Sequence, residues 1–229
     1  MNCSHLYIDI HTHQKPATNA ISLVMGLHAL GIHPWDLSPQ VPLNQYQDQF
    51  ASIQNQSMLA IGECGIDRRR ENIKSVEDQL IVFSWHIELA KKMNLPLVVH
   101  CVHAESDLLA LLKKYKFNGT LLLHDFLGNE QSVEQFNKYK TYFSFGARIF
   151  SRNKNVEDFL RLVPTDKLFL ETDDQSNYSI GEVYQKASEL LGIDEGVLVA
   201  QIEKNLKTFF NYSDDVSPAD VIKNFAARP

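Results

Sequence analysis

Ile8-Asp9-Ile10-His11-Thr12-His13 closes the first apolar run of the chain on two histidines one residue apart. Successive strand side chains point to opposite faces, so His11 and His13 share a face, with imidazoles near enough to hold one ion. An H-x-H pair alone also arises by accident; here the pattern recurs. Apolar runs at Leu6 to Ile10, Met58 to Ile61, Leu95 to Val99, Thr120 to Leu123, Thr141 to Phe145 and Lys167 to Leu170 read as buried strands of parallel type. Gly62-Glu63-Cys64-Gly65-Ile66-Asp67 follows the second, His100 the third, His124 the fourth, and Glu171-Thr172-Asp173-Asp174 the last. In α/β folds, chemistry lies outside the carboxyl ends of strands, where these residues fall. Four histidines and two carboxylates are a nitrogen and oxygen donor set suited to two divalent ions.

Helical patterning separates most of these runs. Ser75 to Met93 is the clearest case: Ser75 can cap it, with Asp78 three residues on, and Leu80, Phe83, Ile87 and Ala90 recur at helical spacing. Glu105 to Tyr115, Glu130 to Tyr139, Val156 to Leu162, Ile180 to Leu191 and Glu195 to Phe210 read similarly, and Ser217-Pro218 starts a last short helix. Strand and helix in repeated alternation imply a wound parallel sheet, open or closed.

With 229 residues, 44% of them hydrophobic, the chain reads as a single domain over 1–229. No apolar run approaches the ~20 residues that span a bilayer, and no secretory leader is evident, so a soluble, cytoplasmic protein without a membrane partner is expected. Cys3, Cys64 and Cys101 form no C-x-x-C pair and are odd in number, against a disulfide framework; Cys64 and Cys101, each following a residue of the candidate site, are turned away from it by strand alternation and read as small buried hydrophobes. The net charge of −6 neither points to a basic nucleic-acid surface nor excludes one, since bound divalent ions would neutralise several of the acidic groups. Arg68, Arg69 and Arg70 form the one compact basic cluster, either a solvated loop or a phosphate contact.

Asp9-Ile10-His11-Thr12-His13, Gly31-Ile32-His33-Pro34-Trp35, Ile61-Gly62-Glu63-Cys64-Gly65-Ile66-Asp67, Val99-His100, His124-Asp125-Phe126-Leu127-Gly128 and Leu170-Glu171-Thr172-Asp173, in that order, resemble the signature of TatD-related metal-dependent deoxyribonucleases. The resemblance runs from about Tyr7 to Phe210. It implies an α/β fold, a TIM-like (β/α) barrel of the metallo-dependent hydrolase type, and divalent-metal phosphodiesterase chemistry. It further implies that His11, His13 and Asp173 hold one ion, His100 and His124 the other, and that Glu63 bridges both. Such an ion pair, of zinc, magnesium or manganese, would activate a water and stabilise the attacking and leaving oxygens of an in-line displacement. Asp173 is the expected proton acceptor, acting with Glu63 in catalysis; His33, Arg68 and Phe126 are candidate substrate contacts, and Trp35, Phe126 and Arg148 are residues of the mouth that either stack on bases or meet phosphates, or else pack at the core or rim.

Three departures from the pattern stand out. His13 is followed almost at once by Ile21-Ser22-Leu23-Val24-Met25-Gly26-Leu27-His28, which has room for two short strands turning at Gly26 but none for a crossover helix. A barrel with one crossover helix shortened or missing near residues 14–33 is therefore expected, with its wall covered by a loop or a partner chain. Val102 stands where many members have an arginine, and no proline follows Asp173. The leading functional reading is a deoxyribonuclease acting on DNA, single strands or ends, and degrading it exonucleolytically from a terminus. An amidohydrolase-type or ester hydrolase, for example on an aminoacyl ester of transfer RNA, is the alternative; that class often bridges its metals with a carboxylated lysine, whereas Glu63 stands here. A non-catalytic metal-stabilised barrel is the third, disfavoured because structural zinc sites are closed and sulfur-rich. Asp9, Asp67 and Glu171 are expected to orient or to hydrogen-bond within the barrel, His86 to be structural, His103 to be solvated, and His5 and His28 to have no nameable partner.

Overall fold

A computed structural model describes residues 6–174, 177–213 and 215–226. Cys3 and His5 lie outside the described residues.

Eight parallel strands follow one another in chain order. β1 (Tyr7–Thr12) pairs with β2 (Ala20–Val24), and β3 (Ala29–Leu30), β4 (Ala60–Asp67), β5 (Leu97–Val102), β6 (Thr120–Leu123), β7 (Lys140–Phe145) and β8 (Leu168–Leu170) form a six-stranded sheet in that order. The two sheets meet at single bridges, Met25 with Ala29 on one side and Thr12 with Asp173 on the other. The architecture is therefore TIM-like, with a hydrogen-bonded ladder that is interrupted at both joints of β1 and β2. The apolar strand centres make the interior: Ile10, Ala60, Ile61, Leu97, Val98, Leu121, Leu122, Phe143 and Phe169 are fully buried.

A helix follows each strand from β3 to β7: α1 (Leu43–Ile53), α2 (Val76–Met93), α3 (Glu105–Lys114), α4 (Glu130–Phe136) and α5 (Lys154–Leu162). Then β8 leads to α6 (Ile180–Leu191), α7 (Glu195–Phe209) and α8 (Pro218–Ala226). Local chemistry sets their ends. Ser75 Oγ accepts the Asp78 N–H and Asn94 closes α2 in the left-handed conformation, while Ser179 and Glu182 form a reciprocal capping box on α6. Only α1 has no counterpart in the sequence reading; its Tyr46, Phe50 and Ile53 are buried at helical spacing beneath a polar, glutamine-rich surface.

The expected gap after β1 is there, and it is wider than one helix. Neither residues 13–19, between β1 and β2, nor residues 25–28, between β2 and β3, form a helix. The chain's own C-terminal helices cover that wall, with α6 and α7 against β1 and α8 against β2, where Val221 is fully buried. At the β1–β8 joint, side chains replace the missing ladder. The Tyr184 hydroxyl of α6 accepts from Ile8 N at 3.2 Å and donates to Ile8 O at 3.0 Å. Asp9 accepts the Thr172 N–H at 3.0 Å and the Thr172 hydroxyl at 2.7 Å, so it serves as a buried tie rather than as a further ligand.

Candidate metal centre

The backbone brings six side chains from five strands to one point. His11 ends β1 on its inner face, and His13 follows the strand. Glu63 stands in β4 where the register with β5 shifts between Ile61 and Cys64. Glycines flank that irregularity for a steric reason: a Cβ on Gly62 (φ +142°) would come within 2.4 Å of Val98 O, and one on Gly65 (φ +149°) within 1.9 Å of His100 O. Absence of side chains there lets β4 close on β5 with the Glu63 carboxylate at the centre. His100 lies in β5, and His124 directly follows β6. Asp173 is clamped to β1 through its backbone, donating N–H to His11 O at 3.0 Å and accepting from His13 N at 3.1 Å.

Glu63 divides its two oxygens between two clusters. Its Oε2 lies 3.4 Å from His11 Nε2 and 3.2 Å from His13 Nε2, and Asp173 Oδ1 lies 3.4 and 3.6 Å from the same two nitrogens. Its Oε1 lies 2.7 Å from His124 Nε2, 3.0 Å from His33 Nε2 and 3.4 Å from His100 Nδ1. His33, assigned from sequence to the substrate side, therefore reaches the second cluster directly. Its Nδ1 accepts the Trp35 N–H at 3.1 Å, which leaves Nε2 as the protonated nitrogen of the neutral ring, facing Glu63. Among the described residues, His11/His13/Asp173, His33/Glu63/His100 and His11/His124/Glu171 each present donor atoms within 4.8 Å of one another. Imidazole and carboxylate donors at such spacing fit divalent ions.

Charge and burial reinforce that fit. Burial works against ionisation of Glu63, but the imidazoles of His124, His100 and His11 outweigh it and hold the carboxyl well below its usual range. Burial and His124 likewise pull the His11 imidazole down, yet Asp173 and Glu63 raise it to about 9; His124 rises well above its ordinary value against burial, through Glu63 and Glu171. The ring nitrogens pointing outward are held or shielded in turn. His100 Nε2 lies 3.2 Å from Asp67 Oδ2, which also accepts the Trp35 indole N–H at 2.8 Å, while Asp67 Oδ1 accepts the backbone N–H groups of Arg69 and Arg70. His124 Nδ1 has no hydrogen-bond partner and faces Glu171 Oε1 at 3.6 Å; the other oxygen of that fully buried carboxylate accepts from the Ser144 hydroxyl. Asp67 and Glu171 thus stand behind the imidazoles, as orienting carboxylates do.

Two sequence candidates are not at this centre. Arg68 forms a two-point pair with Asp107 of α3, at 2.6 and 3.0 Å, and is not among the residues that line the cleft. Phe126 is 3% exposed in an aromatic cluster with Phe136, Phe143 and Phe159; apolar burial claims a ring that sequence alone left free to stack on a base. Trp35, by contrast, is 44% exposed at the mouth, with the Arg70 guanidinium 4.3 Å over its ring. The thiols of Cys64 and Cys101 are buried and free, and burial pushes both up. His86 is buried in α2, where Nε2 accepts the Ile32 N–H at 2.9 Å and Nδ1 meets Val82 O at 2.9 Å. His103 is exposed. The centre floors a cleft of about 770 Å³, whose rim includes Trp35, Val102 and Arg148.

Comparison with known proteins agrees with this geometry. The family model for TatD related DNase matches residues 8–211. The chain is 28% identical over 224 residues to a protein of Erwinia tasmaniensis named 3'-5' ssDNA/RNA exonuclease TatD, covering 85% of this chain and 86% of that one. It is 31% identical over 152 residues to YabD of Bacillus subtilis, named an uncharacterized metal-dependent hydrolase, covering 63% of this chain and 57% of that one. Its fold is similar to the crystal structure of YjjV, a TatD homolog from Escherichia coli, with a TM-score of 0.69 at 23% identity over 86% of this chain and 79% of that one. A match to the family model across nearly the whole described chain, with the ordered histidines and carboxylates gathered at one end of a parallel sheet, makes this chain a member of the TatD-related DNase family of metal-dependent hydrolases.

Proposed function

We propose that the chain is a phosphodiesterase that digests single-stranded DNA from an end, with two divalent ions in its centre. His11, His13 and Asp173 would hold one and His100 and His124 the other, with Glu63 between them. The observation that carries this reading is the split of Glu63, one oxygen toward each imidazole cluster. The name 3'-5' ssDNA/RNA exonuclease, borne by several similar proteins, supports a single strand attacked at its 3' end.

Bound ions would supply Lewis acidity, activating a water and balancing charge on the oxygens of the phosphate. The protein's own groups do the rest. Asp173 is the half-buried carboxylate of the centre, held low by His11 and His124 against the effect of burial, so it is ionised, and its position beside His11 would let it accept the proton of the attacking water. His33 presents Nε2–H toward the second cluster, where a phosphate oxygen could accept it in place of Glu63. Trp35 offers an exposed ring to a terminal base.

The test is digestion of end-labelled single-stranded DNA by metal-stripped protein reconstituted with magnesium, manganese or zinc. Laddering that requires metal, and that falls on the order of 10³-fold in Glu63→Ala and in Asp173→Ala, is the expected result. Two ions bound per chain with DNA left intact under all three metals would sink the substrate assignment and turn attention to other ester and amide bonds.

A further inference from the structure

The cleft in front of the centre is acidic. Asp36, Glu63, Asp67, Asp125, Asp173 and Asp174 all line it, and among its described lining residues Arg148 is the only arginine or lysine. A nucleic-acid strand brings a phosphate at every step, and ions in the centre can meet only the one being cleaved. Its neighbours face carboxylates unless a cation stands near; Arg70 lies over Trp35 at the mouth, and Arg148 is the cation of the cleft lining itself.

Arg148 is also held in place. It sits in the 3-10 turn Ala147–Phe150 that follows β7, and its Nε donates to Asp125 Oδ2 at 2.5 Å. Asp125 directly follows His124, and its backbone lies in the left-handed region at φ +40°, an unusual conformation for a residue with a side chain. The guanidinium is thereby tied to the strand end that carries one of the candidate ligands. The Arg148 side chain is 54% exposed, and no partner among the described residues engages either Nη. An ion pair so exposed adds little to stability, but a guanidinium anchored through Nε keeps a two-point fork for a planar or tetrahedral anion. In the Arg68–Asp107 pair, by contrast, both Nε and Nη2 are spent on the carboxylate.

We propose that Arg148 forms an anion subsite of the cleft, binding through its Nη groups the phosphate adjacent to the scissile one, with Asp125 as its positioning residue. The inference rests on the phosphodiesterase reading above. It makes Arg148 a determinant of substrate length: a strand of several nucleotides uses the subsite, whereas a substrate with one phosphodiester does not.

Steady-state kinetics on the metal-loaded protein would compare a labelled single-stranded DNA decamer with the p-nitrophenyl ester of thymidine 5'-phosphate. Arg148→Ala is expected to raise KM for the decamer about tenfold with little change in kcat, to leave the ester unaffected, and to lower the salt slope of strand binding by about 0.7. Asp125→Asn should move the same parameters less, and Arg68→Ala should move none. Binding of a phosphorothioate-linked decamer, followed by fluorescence anisotropy, separates the subsite from the chemistry. Weaker binding in Arg148→Ala, even by a protein that fails to cleave DNA, would uphold the subsite while the hydrolytic reading fell. Cleavage of the decamer with KM and salt slope unchanged in Arg148→Ala, an equal loss on both substrates, or no binding of the strand by the parent protein would overturn it.

Discussion

The two walls of the sheet hold the same centre by different means. Each of β4 to β7 is paired with a neighbouring strand on both sides and followed by a helix, β8 pairs with β7, and Glu63, His100 and His124 take their positions from that sheet. Between β1 and β3 there are no crossover helices, and single bridges join β1 and β2 to the six-stranded sheet. His11 and His13 are placed instead by side-chain ties made over long sequence distances: Tyr184 to Ile8, Asp9 to Thr172, and the Asp173 backbone to β1. A regular ladder distributes its positional energy over many bonds, whereas the thin wall concentrates it in a few. The first should tolerate single changes, and the second should not.

That contrast can be broken most sharply at α8. Val221→Asp places a carboxylate in the apolar contact that covers β2 and should cost about 3 kcal/mol. Denaturant unfolding would measure the loss, and hydrogen exchange should locate early opening in β1 and β2; uniform opening of β4 to β8 would contradict the two-wall description. Tyr184→Phe is a finer probe. It removes one hydroxyl and leaves Ile8 N and O without their partner, a loss of about 1–3 kcal/mol. If exchange at Ile8 and metal affinity both stay as they were, the tie is not what places His11.

Acid and alkali should separate the walls by sign. In the thin wall of the metal-free protein, His11 binds its proton more tightly folded than unfolded. That stability is fully present below about 6.5 and is lost as pH rises through about 9. In α2 of the regular wall, burial lowers His86 to about 4 although Val82 O counters it, so folding favours the neutral ring and stability falls as pH drops from about 6.5 toward 4. Melting temperatures across pH should therefore show a modest loss on the alkaline side that bound metal removes, and an acid loss that metal leaves and His86→Leu abolishes. An alkaline loss that persists in zinc-loaded protein would show that His11 is not the group responsible.

Legibility in the sequence follows the same division. The strand runs, the capped helix α2 and the side chains at the strand ends were readable because period and capping are local properties of the chain. α1 was not, since its short apolar stripe of Tyr46, Phe50 and Ile53 is diluted by polar residues that carry no comparable signal. The lack of room for a crossover helix after His13, with two short strands turning at Gly26, could be counted from chain length. Arg68 and Phe126 misled for a different reason. A motif places a residue near the mouth, yet whether it faces substrate depends on neighbours far away in sequence, Asp107 for the one and Phe136, Phe143 and Phe159 for the other.

By itself, then, the chain's sequence determined which residues stand at the carboxyl ends of the strands, because alternation and apolar runs dictate that much without any long-range contact. Tertiary structure alone decided how those residues meet. The split of Glu63 between two clusters, the approach of His33 to one of them, the side-chain joint that sets β1 against β8, and the anchoring of Arg148 by Asp125 all depend on distances between elements. Such distances are set by packing and closure, which no local pattern encodes.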